Sequence, residues 1–252
     1  GFLRGATFSG GRLAYSESTG PTAQSYQFWL DNQIIAVEGG PVPNQPGNTW
    51  HRLQSNWLSE DGQQLRILAY IWDAALSRTR SVLFDPLYGT EIISTGDSIP
   101  GLPLPIEAIQ YPIRFSPDAN HFATRVVQEG DGLTAIMIDG EVLEIEPGVM
   151  ALEGEPIPAH LCGGAEGLTW ADFYTYDVND YGDYAFSARA RGGPGTLYVL
   201  IRNGRLFATS SQSLKLAGVD EFGAVLRTSP NSRRSIYLED SLVLAQSAGI
   251  DA

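Results

Sequence analysis

Three residues of different chemistry share one place in this chain, five positions ahead of a recurring turn: Trp57, Arg114 and Asp177. With Tyr174 on the same stretch as Asp177, they supply aromatic faces, a guanidinium and a carboxylate. Such groups grip a ligand by stacking and by charged hydrogen bonds. They are the candidate binding residues. An arginine and an aspartate at one shared position serve equally as a structural ion pair, a ligand grip or part of a catalytic set. The structural role is the default.

Other chemistry is weaker. Asp177-Val178-Asn179-Asp180-Tyr181-Gly182-Asp183 resembles the start of a calcium loop, but an EF-hand needs an oxygen ligand fifth and a glutamate twelfth. Tyr181 and Ala188 stand there. His51, His121 and His160 are far apart and lack the spacing of a zinc site. No Gly-x-Ser-x-Gly elbow or phosphate loop occurs. Cys162 lies beside His160 in sequence, but a catalytic thiol takes its base from elsewhere in the fold. A lone cysteine reads as a buried, inert one. No metal, cofactor or catalytic residue is expected.

The elements that carry the candidates repeat. Gly11, Gly62, Ala119, Gly182 and Gly223 each sit in a turn before a short apolar strand, and they are 51, 57, 63 and 41 residues apart. An apolar hairpin follows each: 26–37, 82–93, 135–145, 197–208 and 236–244. The Asp139-Gly140 and Asn203-Gly204 turns are hairpin signals, because type I′ turns need positive φ at both central residues. A third feature, a glycine turn with a proline just beyond, closes the first three units at Glu38–Pro43, Thr95–Pro100 and Glu153–Pro158. Glycine at the anchor permits positive φ, and Asn179 three residues earlier can bond the turn backbone. Both read as structural.

Each unit predicts about four antiparallel strands, and five such units match a β-propeller with one sheet per blade. The last anchor leaves a segment that the N-terminal residues complete. The expected fold is therefore all-β: a single domain over 1–252, with five four-stranded blades closed between the N- and C-terminal segments. An open solenoid or a fragment of a longer array is the alternative.

Asn179-x-x-Gly182-x-x-Ala185-Phe186 resembles the signature of the NxxGxxAF tandem-repeat proteins, and Gly96-Asp97-Ser98-Ile99-Pro100-Gly101 resembles their link. Phe115-Ser116-Pro117-Asp118 is similar to the blades of TolB-like propellers. Both resemblances imply a propeller-like fold. The first also implies a bacterial exported or cell-surface protein with no established enzymatic activity.

Composition agrees with a folded chain of many turns. Hydrophobic residues make up 43% and charged ones 18%, enough to bury a core, and 28 glycines and 15 prolines are spread along the length. Net charge is −13, with Lys215 the sole lysine. That balance excludes a nucleic-acid footprint and disfavours anionic membranes. No run reaches the ~20 apolar residues of a membrane helix. The chain starts without methionine or a signal region, as a processed product would.

The expected function is a non-catalytic exported or cell-surface module that binds a glycan or a protein. Strands ahead of the anchors would line a channel and carry Arg52, Gln54, Tyr111 and Asp172 besides the candidates. Two such carboxyls about 5–10 Å apart would suit a glycosidase or lyase, the enzymatic alternative. A purely structural surface module is the third reading. Trp50, Trp57 and Trp170 would serve either as sugar platforms or as wedges between blades. The second use is the commoner.

Overall fold

Alternation between short apolar strands and glycine turns yields five four-stranded antiparallel sheets, each a meander of consecutive strands. The computed structural model describes residues 6–18, 25–193 and 195–211 in full, and residues 2–5 and four later strands as backbone. The expected anchor at Gly223 lies outside the described residues. Helix is confined, among the described residues, to one 3-10 turn at Ala159–Cys162.

The first sheet is β1 (Phe2–Ser9), β2 (Arg12–Ser18), β3 (Tyr26–Leu30) and β4 (Gln33–Val37), and the second is β5 (Thr49–Leu58), β6 (Leu65–Asp73), β7 (Arg78–Asp85) and β8 (Thr90–Ser94). The third runs β9 (Ile106–Phe115), β10 (Phe122–Gln128), β11 (Thr134–Ile138) and β12 (Glu141–Val142). Val142–Ile145 is not one outer strand; it breaks after Val142, and β13 (Glu144–Glu146) pairs with β14 (Val149–Met150) as a separate hairpin. The fourth sheet is β15 (Thr169–Val178), β16 (Tyr184–Arg191), β17 (Leu197–Arg202) and β18 (Arg205–Ser210). The fifth is β19 (Leu214–Val219), β20 (Ala224–Thr228), β21 (Arg233–Leu238) and β22 (Ser241–Gln246).

The chain divides into two compact units. One holds Gly1–Ser98, Pro105–Ile109 and Pro117–Ala119; the other holds Ile99–Leu104, Gln110–Ser116 and Asn120–Ala252.

Within each unit the glycine-turn feature is a hydrogen-bonded link between successive sheets. Gly39, Gly96 and Gly154 occupy positive φ of 83°, 96° and 90°. In each case the following N–H closes the turn: Gly40 to Val37 O at 2.9 Å, Asp97 to Ser94 O at 3.2 Å, and Glu155 to Leu152 O at 3.1 Å. That is a turn with glycine at the third position, where positive φ is required. The glycine N–H then reaches the first strand of the next sheet, at Trp50 O (2.6 Å), Ile106 O (2.7 Å) and Trp170 O (2.9 Å). Bonds return from Trp50, Ile106 and Trp170 N–H at 2.9, 2.9 and 3.0 Å.

The residue before each glycine staples the link backward. Glu38 accepts from Tyr26 N–H at 3.0 Å, Thr95 from Ser81 N–H at 3.1 Å, and Glu153 from Thr134 N–H at 3.3 Å. Glu38 also takes Leu53 N–H at 2.9 Å, across to the second sheet.

The anchor turns repeat as closely. Gly62, Ala119 and Gly182 have φ of 72°, 56° and 77°. Asn179 Oδ1 accepts the N–H groups of Tyr181 and Asp183 at 3.0 and 2.9 Å. Ser59 and Ser116 take its place in the second and third sheets, accepting Gln64 N–H at 2.9 Å and His121 N–H at 3.0 Å. All three are buried. The hairpins are tied to the anchors as well. Asp31, Asp139 and Asn203, all at positive φ, accept the N–H of Leu13, Phe122 and Tyr184 at 2.9, 2.8 and 2.9 Å.

In the first unit Trp50 meets Phe84 edge-on at 5.2 Å, in a core with Phe28, Ile67, Ile71 and Val82. Ile67, Leu68 and Ala69 are all fully buried in a row, as are Val82, Leu83 and Phe84. Runs of that kind require cover on both sheet faces. The first sheet is one-sided. Ala14, Phe28 and Leu30 are buried on one face, while Phe8 is 73% and Ile34 48% exposed on the other, flanking the stacked Tyr15 and Trp29. In the second unit Trp170, Phe173 and Phe186 pack at 5.7–5.9 Å.

Partly buried charge in the first unit is neutralised by Arg80, which reaches Asp73 at 2.8 Å and Glu91 at 2.9 Å. The Leu76 N–H, despite opposing burial, holds the Asp73 carboxyl below its ordinary value, with help from Arg80. Burial pushes Glu91 up, but hydrogen bonds from Arg80, Ser94 and Gln45 outweigh it and leave the carboxyl lowered. Asp31 is lowered by Leu13 N–H and Arg12, and Asp61 by the Ser59 hydroxyl and Gln63 N–H.

Two outcomes follow. A Cβ on Gly10 would stand 2.0 Å from Asp61 O, whereas one on Gly11 meets nothing within 4 Å, although both residues have positive φ. In urea unfolding, Gly11→Ala should cost about 1 kcal/mol for backbone strain alone, and Gly10→Ala about 3 kcal/mol or more because backbone must also move. Equal losses would show that the turn does not pack on Asp61. The second outcome concerns acid. Carboxyls lowered in the folded state stabilise it fully above their unfolded values near 4 and cease to do so as pH falls through the folded values. Stability should be flat from about pH 7 to 5 and decline below about 4, and Glu91→Gln should make that decline shallower in acid denaturation followed by circular dichroism.

Candidate functional site

The three residues at the shared position do occupy equivalent places: Trp57, Arg114 and Asp177 are each the penultimate residue of the first strand of their sheet, β5, β9 and β15. Trp57 belongs to the first unit and is half-buried opposite Arg66. Arg114 and Asp177 belong to the second unit, where Arg114 is exposed and Asp177 half-buried. Between them on β9 and β15, the Tyr176 hydroxyl donates to Pro112 O at 2.5 Å. Burial raises the Tyr176 pKa against the opposing charges of Arg125 and Arg114.

Strand alternation does not predict which side chains of β15 share a face, because the strand is bulged twice. Its pairing with β16 skips from Trp170 to Asp172 and again from Phe173 to Thr175. β5 skips at the matching places, from Trp50 to Arg52 and from Leu53 to Ser55. An unpaired residue at a bulge re-aims its side chain, and the second bulge in β15 is Tyr174. Its backbone effect is also visible: Phe173 O accepts Arg125 Nη1 at 2.5 Å from the third sheet.

Tyr174 is 39% exposed. Its ring lies 5.8 Å from that of Tyr198, inclined at 44°. Asp172 pairs with Arg189 at 2.5 Å, each side chain 41% exposed. The pairing runs straight across the sheet, Asp172 to Arg189 to Tyr198. Burial pushes the Tyr174 hydroxyl up, and the neighbouring Asp172 charge adds to it, so the phenol stays protonated at neutral pH. The four residues form an open surface with two aromatic faces, a carboxylate, a guanidinium and two hydroxyls.

The other candidates resolve differently. Trp50 and Trp170 are 1% and 0% exposed, so they are wedges and not platforms. Burial pushes the Cys162 thiol to about 11, which leaves it protonated and unreactive at neutral pH. His121 pairs with Asp139 at 2.7 Å, its ring lying against Gly182, and His160 pairs with Glu146 at 3.0 Å. No group of three metal-ligating side chains occurs among the described residues. Tyr174 and Asp172 were visible in the sequence, but Arg189 and Tyr198 were not. Only the bulged register brings them in, and the twin aromatic strands 169–178 and 197–202 were the available signal.

No family model and no curated protein matches the chain. Among solved structures it is similar to the Dos1 propeller, at 9% identity and a TM-score of 0.45, covering 99% of this chain and 60% of that one. It is also similar to the β-propeller domain of the Trilobed protease from Pyrococcus furiosus, which has an open velcro topology (10% identity, TM-score 0.37, 98% and 84% covered). BBS1N, solved in complex with ARL6DN, is a third (11% identity, TM-score 0.36, 96% and 66% covered). The chain thus spans about 60% of the length of the first of these, and nothing about ligand or activity is carried over from them.

Proposed function

We propose that this chain is a non-catalytic β-propeller module of an exported or cell-surface protein, and that it binds a glycan. The Tyr174–Tyr198 pair, with Tyr174 exposed and Tyr198 half-buried, beside the Asp172–Arg189 ion pair carries the reading. Trp50, Trp170 and Phe173, by contrast, are spent on the core. Trp57, Arg114 and Asp177 remain proposed binding residues at their own strand ends.

The five sheets are blades of a ring closed between the N- and C-terminal segments. Support comes from the link that recurs three times with the same hydrogen bonds, and from the apolar face that the first sheet leaves uncovered. In sequence, the stretches Ile236-Tyr237-Leu238 and Leu242-Val243-Leu244 are apolar at consecutive positions, as blades covered on both faces must be.

A panel of neutral and acidic polysaccharides, scored for retention and for release of reducing ends, tests the function. The expected result is retention without cleavage. Release of reducing ends would replace this reading with the glycosidase or lyase, and neither retention nor release would leave the structural module. For the ring, hydrogen exchange at Ala14, Phe28 and Leu30 should quicken when the chain is cut after residue 211. Unchanged exchange would mean that the C-terminal segment does not support the first sheet.

A further inference from the structure

The fourth and second sheets share a first strand of the same construction but not the same chemistry. Asp172, Arg189 and Tyr198 lie in one cross-strand row, and the matching row of the second sheet is Arg52, Tyr70 and Ser81. The second bulge carries Tyr174 in one and Gln54 in the other. The bulges therefore belong to the scaffold. What the fourth sheet adds is a carboxylate facing a guanidinium, and a second aromatic ring close to the bulged one.

We infer that Asp172, Tyr174, Arg189 and Tyr198 form a subsite for one pyranose ring of a neutral glycan. This rests on the glycan-binding reading above and specifies where and what it binds. A pyranose has an apolar C–H face and a rim of hydroxyls. The inclined tyrosines, 5.8 Å apart, offer aromatic faces for the first. The rim needs donors and acceptors side by side, and the ion pair supplies both. The Asp172 contact engages Arg189 through Nη2 alone, one end of a five-donor guanidinium, and a carboxylate accepts at more sites than one contact fills.

An ion pair this exposed adds little to stability, so folding does not explain its place. The ligand is neutral because Asp172 already balances Arg189, and the net charge of −13 repels polyanions. Peptide is disfavoured because Tyr174 and the ion pair stay solvent-exposed, whereas hot-spot aromatics of protein contacts sit in desolvated pockets.

The test uses the full chain and neutral hexaoses built from glucose, xylose, mannose and galactose, with oligogalacturonate as the anionic comparator, by isothermal titration calorimetry. At least one neutral hexaose should bind. Tyr174→Ala, Tyr198→Ala and Asp172→Asn should each weaken it about tenfold or more, while Gln54→Ala should leave it unchanged. Tyr174→Phe keeps the ring and should retain most affinity, which separates lost stacking from lost folding; near-ultraviolet circular dichroism checks each variant. A hexaose bound equally well by wild type and all three variants would overturn the subsite and leave glycan binding intact. Preference for oligogalacturonate would overturn the neutral ligand. Absence of saccharide binding in the wild type would overturn the glycan reading and the subsite together.

Discussion

Every sheet junction described here depends on one constraint: a backbone N–H and C=O from the link must pair with the first strand of the next sheet. Only a residue comfortable at positive φ turns the chain sharply enough to present them. Gly39, Gly96 and Gly154 meet that need; each donates its N–H, and the C=O of the next residue, Gly40, Asp97 or Glu155, accepts the returning bond. Unpaired buried backbone groups are costly, so the link cannot be loosened without exposing strand ends. Glu38, Thr95 and Glu153 solve a related problem by occupying an N–H of the third strand of the sheet just finished, at Tyr26, Ser81 and Thr134.

With the junctions fixed, the first strands β5, β9 and β15 are each held at both ends, by the link before and by the anchor turn after. β5 and β15 absorb extra residues as bulges between those fixed points. A bulge frees a carbonyl and turns a side chain outward. In β15 the carbonyl of Phe173 went to Arg125, and the side chain is Tyr174. On the proposed reading, scaffold and site are two consequences of the same irregularity, and the difference between Tyr174 and Gln54 is where binding chemistry would enter without disturbing the sheet.

Much of this was legible beforehand, and the reason is conformational. Gly62, Gly182, Asp139-Gly140 and Asn203-Gly204 leave a mark in sequence because few residues tolerate positive φ. Ala119, at φ 56°, was found only by its spacing. Ser59 and Ser116 are not legible as counterparts of Asn179 because serine is common everywhere, yet each accepts a backbone N–H from the far end of its own turn. The break after Val142 was illegible too: Val142–Ile145 is apolar in strand fashion, and only Ala151 and Leu143 exchanging bonds with Ile136 redirects it. Bulges have no residue signature in β15, so Arg189 and Tyr198 could not be counted onto the face of Tyr174.

Amide hydrogen exchange at Gly39, Gly96 and Gly154 tests the governing constraint most directly. If the links carry the junctions, these three N–H groups exchange as slowly as those of the buried strands β6 and β16, despite lying in turns. Exchange as fast as at Gly130 and Gly132, glycines with positive φ in an ordinary loop, would contradict the account.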